Sequence, residues 1–125
     1  MIIRSYDPTD FDEVKRIHEK YYQTEFNLPN FLNNYICAVT LEDERGIVTT
    51  GGIRNIVEAV AVTNKDRSVR VRRDALLTMM QALIYMAQAN NHKQLHAFVQ
   101  DEPWTNHLLD NGFNKTKGQA LVLEI

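Results

Sequence analysis

Ile56-Val57-Glu58-Ala59-Val60-Ala61-Val62 is the stretch from which the rest of the chain is read. It is short, β-branched and apolar on both faces apart from Glu58, the pattern of a strand buried in the middle of a sheet. Thr63 to Arg73 follows, with Lys65, Arg67, Arg70, Arg72 and Arg73 against one acid, Asp66. From about Asp74 the period changes. Leu76, Met79, Met80, Leu83, Ile84 and Ala87 recur at three- and four-residue spacing, with Thr78, Gln81, Tyr85 and Gln88 on the opposite stripe of a helix. A buried strand that reaches a helix through a cationic loop can form an anion site. The first N–H groups of the helix have no partner and its dipole favours negative charge.

Upstream, Tyr35–Leu41 and Ile47–Ile53 read as two strands joined by a turn at Glu42-Asp43-Glu44-Arg45-Gly46. Gly51-Gly52 marks a bulge or a close approach to the backbone. Met1–Tyr6 reads as the first strand. Asp7-Pro8-Thr9-Asp10 opens a helix to about Tyr22, with Phe11, Val14, Ile17, His18 and Tyr21 on one face. Downstream, Asn90-Asn91-His92-Lys93 stops the long helix, with Asn suited to the left-handed position. Leu95–Val99 reads as a fifth strand. Asp101 caps a short helix with Trp104, Leu108 and Leu109 facing inward, and Asn111-Gly112 ends it. Phe113–Lys117 and Gln119–Ile125 read as two closing strands around Gly118. The expected order is β-α-β-β-β-α-β-α-β-β in one domain spanning residues 1–125. That is an α+β, three-layer arrangement on a mixed sheet, with a right-handed crossover through the long helix.

The chain has 125 residues, 24% charged and 44% hydrophobic, the composition of a globular domain able to bury a core. A net charge of −2 argues against a general nucleic-acid binder. The charge is unevenly spread: residues 1–44 hold nine acids and four Lys/Arg, while the basic stretch is suited to a compact anion. Cys37 is the only cysteine, so no internal disulfide forms and a cytoplasmic location is expected. No apolar run is long enough to span a bilayer. His18, His92, His96 and His107 are scattered without ligand spacing, so no metal is expected. Phosphate-loop, dinucleotide and Gly-x-Ser-x-Gly motifs are missing.

Ile2-Ile3-Arg4 leading to Asp10-Phe11, Leu108-Leu109-Asp110-Asn111-Gly112-Phe113, and Arg70-Val71-Arg72-Arg73-Asp74-Ala75 together resemble segments of the GNAT superfamily, the acyl-CoA-dependent N-acetyltransferases. The resemblance covers nearly the whole chain and implies a GNAT-like sheet. It also implies acetyl-CoA as co-substrate and transfer of an acetyl group to a primary amine by direct attack. Arg70, Val71, Arg72, Arg73, Asp74 and Ala75 stand where the family binds the pyrophosphate. Ala61, Val62 and Thr63 would hold the pantetheine and polarise the thioester carbonyl, in a gap between Val60-Ala61-Val62 and Leu95–Phe98. Glu58 falls where the family often places its general base. The chain departs from the pattern in four ways: Arg73 replaces the central Gly of the loop, Asp74 as a carboxylate cap of the long helix would take the anion's place, the stretch between Val62 and Arg70 is longer than the family's, and Leu108 replaces a frequent Tyr of the closing helix.

Each of these features has two readings. The arginines bind phosphates, or they are solvated charges paired with Asp66, Asp74 or the acidic N-terminal half. Glu58 takes a proton from an amine, or it faces the polar side and pairs with Arg54. Two functions follow: an N-acetyltransferase acting on a small-molecule or peptide amine, or a catalytically inactive GNAT-like fold serving as a binding or protein-interaction module. Neither reading involves nucleic acid or a membrane, and the chain is expected as a monomer or homodimer.

Overall fold

The computed structural model describes residues 1–125. The chain forms two compact units, Met1–Asn55 with Asn106–Ile125, and Ile56–Thr105. Its elements are β1 (Ile2–Ser5), α1 (Phe11–Tyr21), β2 (Tyr35–Asp43), β3 (Gly46–Arg54), α2 (Val69–Ala89) and α3 (Glu102–Asp110), with a 3-10 turn at Pro8–Asp10 before α1. No helix is long and apolar enough to cross a membrane.

The first unit is built on an antiparallel sheet in the order β1-β2-β3. Ile3 pairs with Leu41 and Arg4 with Thr40, and Thr40 pairs in turn with Thr50. Glu44-Arg45 closes the hairpin tightly. The Asp43 carboxylate accepts from the Arg45 amide at 2.8 Å, and Gly46 takes φ +115°, a conformation glycine adopts without steric cost. The double glycine allows a close approach. A Cβ at Gly52 would lie 2.7 Å from the Cys37 carbonyl oxygen, opposite a register shift between Tyr35 and Cys37.

Asp7 and Asp10 bond reciprocally across the start of the first helical segment. Asp7 accepts from the Thr9 amide at 2.9 Å, and Asp10 accepts from the Asp7 amide at 3.0 Å. Asp10 is also buried against the sheet, where it takes two 2.8 Å bonds from the Arg4 guanidinium. Arg4 reaches Glu42 at 3.1 Å as well, so one cation from β1 ties the helix entry to β2. The Arg4 bonds hold the Asp10 carboxyl down at about 2, and the two carboxylates raise the pKa of Arg4. Thr40, fully buried, shares a 3.0 Å hydroxyl bond with Thr50.

Val14, Ile17 and His18 face inward from α1, as the helical spacing predicts, while Phe11 and Tyr21 stay exposed at the two ends of the stripe. His18 Nε2 donates to the Phe26 carbonyl at 2.6 Å, with the Phe26 ring edge-on to the imidazole. Phe31 lies between Tyr6 and Tyr35, tilted against the first and edge-on to the second, with ring centroids 5.2 and 5.1 Å away. These aromatic pairs fix the irregular segment after α1 without regular structure.

The fold expectation of a three-layer GNAT-like mixed sheet is overturned. A single three-stranded antiparallel sheet replaces the larger mixed sheet of a GNAT-like domain. Ile56–Val62, Leu95–Val99, Phe113–Lys117 and Gln119–Ile125 do not form strands, apart from one parallel bridge between Glu58 and His96. Strand propensity reports how a side chain suits a half-buried pleated surface, and a strand exists only when a neighbour completes its ladder. Those segments have the composition but not the neighbour.

The helix boundaries outside the basic stretch lie close to expectation. Asn91 takes φ 64° after α2, and the His92 amide bonds to the Ala87 carbonyl at 3.0 Å. The Asp101 carboxylate caps α3 through the Trp104 amide at 3.0 Å. Gly112, at φ +96°, ends the helix, with the Phe113 amide on the Leu108 carbonyl.

Candidate functional site

The basic stretch belongs mostly to a helix rather than a loop. Ser68, with extended backbone at φ −60° and ψ 155°, accepts from the Val71 amide at 3.3 Å and caps α2. The helix therefore begins at Val69, about one and a half turns before the change of period at Asp74. Charge density conceals this start in the sequence, since arginines on the first turn look like a loop. Arg70, Val71, Arg72, Arg73, Asp74 and Ala75 all lie within α2, which corrects the expected loop. Asp74 is consequently not the cap. It sits beyond the first turn, exposed, 3.9 Å from Arg73 Nε.

No acid occupies the first turn of α2. The Val69 and Arg70 amides have no intrahelical acceptor, as at every helix start. Arg70 and Arg73 are exposed, while Arg72 lies half-buried on the same stripe as Leu76, with its Nε buried and unbonded. Cations here oppose the helix dipole at about 0.3–1 kcal/mol each, a cost that a bound anion would offset.

Before this helix, Val57–Ala59 runs parallel to the segment around His96. The Ala59 amide bonds to the His96 carbonyl at 2.8 Å, and the His96 amide to the Val57 carbonyl at 2.9 Å. Pairing stops there. The amides of Val60, Ala61, Val62 and Thr63 bond to no backbone carbonyl, and Val62 is 99% exposed. The two segments are thus joined at one bridge and share no backbone bond over the residues that the resemblance assigns to the pantetheine.

Glu58 is exposed and forms part of the wall of a cavity of about 290 Å³, with Leu83, Met86, Ala87, His92 and Leu95. The expectation of a carboxylate enclosed in an apolar strand is not met, because the segment has one bridge to His96 and no further sheet neighbour. Leu83 is fourteen residues along α2 from Val69, about 20 Å at 1.5 Å per residue. The structure therefore groups Ala61, Val62 and Thr63 on unpaired backbone, and Arg70, Arg72 and Arg73 on the helix start. It places Glu58 apart from the arginines, beside the later turns of α2. Met86 and His92 were not singled out as site residues. Helical spacing marks Leu83 and Ala87 as inward-facing, but whether such residues fill a space or border one depends on what packs opposite. Comparison with protein families, curated proteins and solved structures finds no match for this chain.

Proposed function

We propose that the chain is an acyl-CoA-dependent N-acetyltransferase that moves the acetyl group of acetyl-CoA to a primary amine, in a cytoplasmic setting. The observation that carries this reading is the singly bridged pair. Val57–Ala59 and His96 are bonded at one bridge, the amides of Val60–Thr63 are left open, and the chain then enters an arginine-rich, serine-capped helix with no acid in its first turn. The reading rests on the Ile56–Thr105 unit and on the local resemblance, not on the three-stranded sheet, which differs from the family's.

The Val69 and Arg70 amides with Arg70 and Arg73 would bind the pyrophosphate. An extended pantetheine arm would then run alongside most of the 20 Å or so of α2 between Val69 and Leu83, which shares a cavity wall with Glu58. The open amides would hold the arm and polarise the thioester carbonyl. The amine nitrogen attacks that carbonyl, a C–N bond forms and the C–S bond breaks. The amine proton passes to the Glu58 carboxylate, directly or through water, and the thiolate leaves as CoA, taking its proton from solvent. Positioning and electrostatic stabilisation would supply most of the rate.

A second reading, a binding or protein-interaction module without acyl transfer, is favoured by Arg73 and Leu108, which depart from the catalytic pattern, and by the exposure of Glu58. A thermal-shift titration with acetyl-CoA, followed by a thiol-release assay on a panel of amines, separates the readings. At a hundred times its Kd the ligand adds about 2.7 kcal/mol, raising Tm by roughly 10 °C. Binding with turnover supports the enzyme, binding without turnover supports the module, and an unmoved melt at millimolar acetyl-CoA removes the acyl-CoA reading.

A further inference from the structure

The segment Gln119–Ile125 has the pattern of a strand but no ladder. Leu121, Leu123 and Ile125 alternate with Ala120, Val122 and Glu124, placing three large apolar side chains on one face. Leu121, Val122 and Leu123 are 91%, 86% and 82% exposed, and no backbone group of the segment bonds to another backbone group. Just before it, Lys117 Nζ donates to the Thr24 carbonyl at 3.2 Å, which anchors the root of the segment beside the end of α1.

The same unit holds a matching acceptor. β3 pairs with β2 on one side only, so the other side of a nine-residue strand presents unpaired backbone. Proteins commonly protect such an edge with lysine, proline or a short strand. β3 has none of these, and its single charge is Arg54 at the end. Thr50 bonds to Thr40 on one face of the sheet, so Thr49, Gly51 and Ile53 belong to the other. On that second face Ile3 and Ile53 are 65% and 60% exposed. A Cβ at Gly51 would meet nothing within 4 Å, leaving an open slot between Thr49 and Ile53.

We propose that Gln119–Ile125 adds to the β3 edge of a second copy of this chain as a fourth strand, and that the exchange is reciprocal and closes a dimer. Within one copy the donor and the acceptor are both unsatisfied, and each supplies what the other lacks: backbone groups to complete a ladder, and leucines to cover an apolar face with a slot at Gly51. The inference is independent of any acyl-CoA chemistry.

Sedimentation velocity on the full chain tests it. The wild type should sediment at twice the chain mass. A donor variant, Leu121→Asp with Leu123→Asp, and an acceptor variant, Gly51→Lys, should each be monomeric. The lysine at 51 enters open space, so circular dichroism should show the fold intact. Mixing the two variants should restore a dimer, because an intact segment then meets an intact edge. A monomeric wild type, a dimer that persists in either variant, or a mixture that stays monomeric would overturn the proposal.

Discussion

Asp10 shows how much one side chain can organise. Its carboxylate lies between the Arg4 guanidinium, the Asp7 amide and the Thr40 hydroxyl, and its pKa falls from 3.8 to about 2. Because the folded value lies below the unfolded one, the contribution to stability is complete above about pH 4 and is lost as pH falls toward 2. Acid titration of the melting temperature should show this loss, and Asp10→Asn should flatten the curve over that range while lowering stability at neutral pH. Gly51 and Gly52 in β3 offer a second test. Gly52→Ala meets the Cys37 carbonyl and the Tyr35 ring and should cost about 1–3 kcal/mol in chemical denaturation. Gly51→Ala meets nothing and should be neutral or stabilising by up to about 1 kcal/mol. Glu58→Gln tests the proposed base: turnover should drop by about a hundredfold or more with acetyl-CoA affinity kept. Unchanged turnover would remove Glu58 from the mechanism.

At the scale of elements, α2 is the informative case. Its inward stripe, Leu76, Met79, Met80, Leu83 and Ala87, follows the spacing in the sequence, because an amphipathic period survives any choice of neighbour. Ile84, at the margin of the stripe, is exposed. The start of the helix was less legible, since Ser68 is a good cap whose signal is masked by the arginines after it. Ser68→Ala should destabilise the helix by about 1 kcal/mol, read as a lower denaturation midpoint. Arg70→Glu with Arg73→Glu should have the opposite effect on stability, since acids suit a helix start, while abolishing the acetyl-CoA thermal shift. If that double variant keeps the shift, the anion does not bind at the start of α2.

Over the whole molecule, the strands that formed are those joined by a short connection or by a polar tie. β2 and β3 follow each other through Glu44-Arg45, and β1 is drawn to β2 by Arg4 reaching Glu42. The expected strands outside this set required pairings between distant segments. Of these only Val57–Ala59 with His96 is made, and it is a single bridge. The candidate site divides in the same way. The arginines are close in sequence and stay together on one helix. Glu58 and His92 meet at a cavity that no spacing rule would have indicated.

What the sequence by itself determined was local: the helical stripes, the tight hairpin, the Asp101 cap, the helix start within Asp7–Asp10 and the stop at Asn90-Asn91, and the concentration of cations ahead of Leu76. These depend on backbone preference and on hydrogen bonds between residues a few positions apart. Only the tertiary structure decided which β-prone segments found a ladder, that Asp74 lies within α2 instead of capping it, and that Glu58 is exposed. The reason is physical. Strand pairing and burial are properties of two surfaces meeting, and an apolar run such as Ile56–Val62 specifies one of those surfaces.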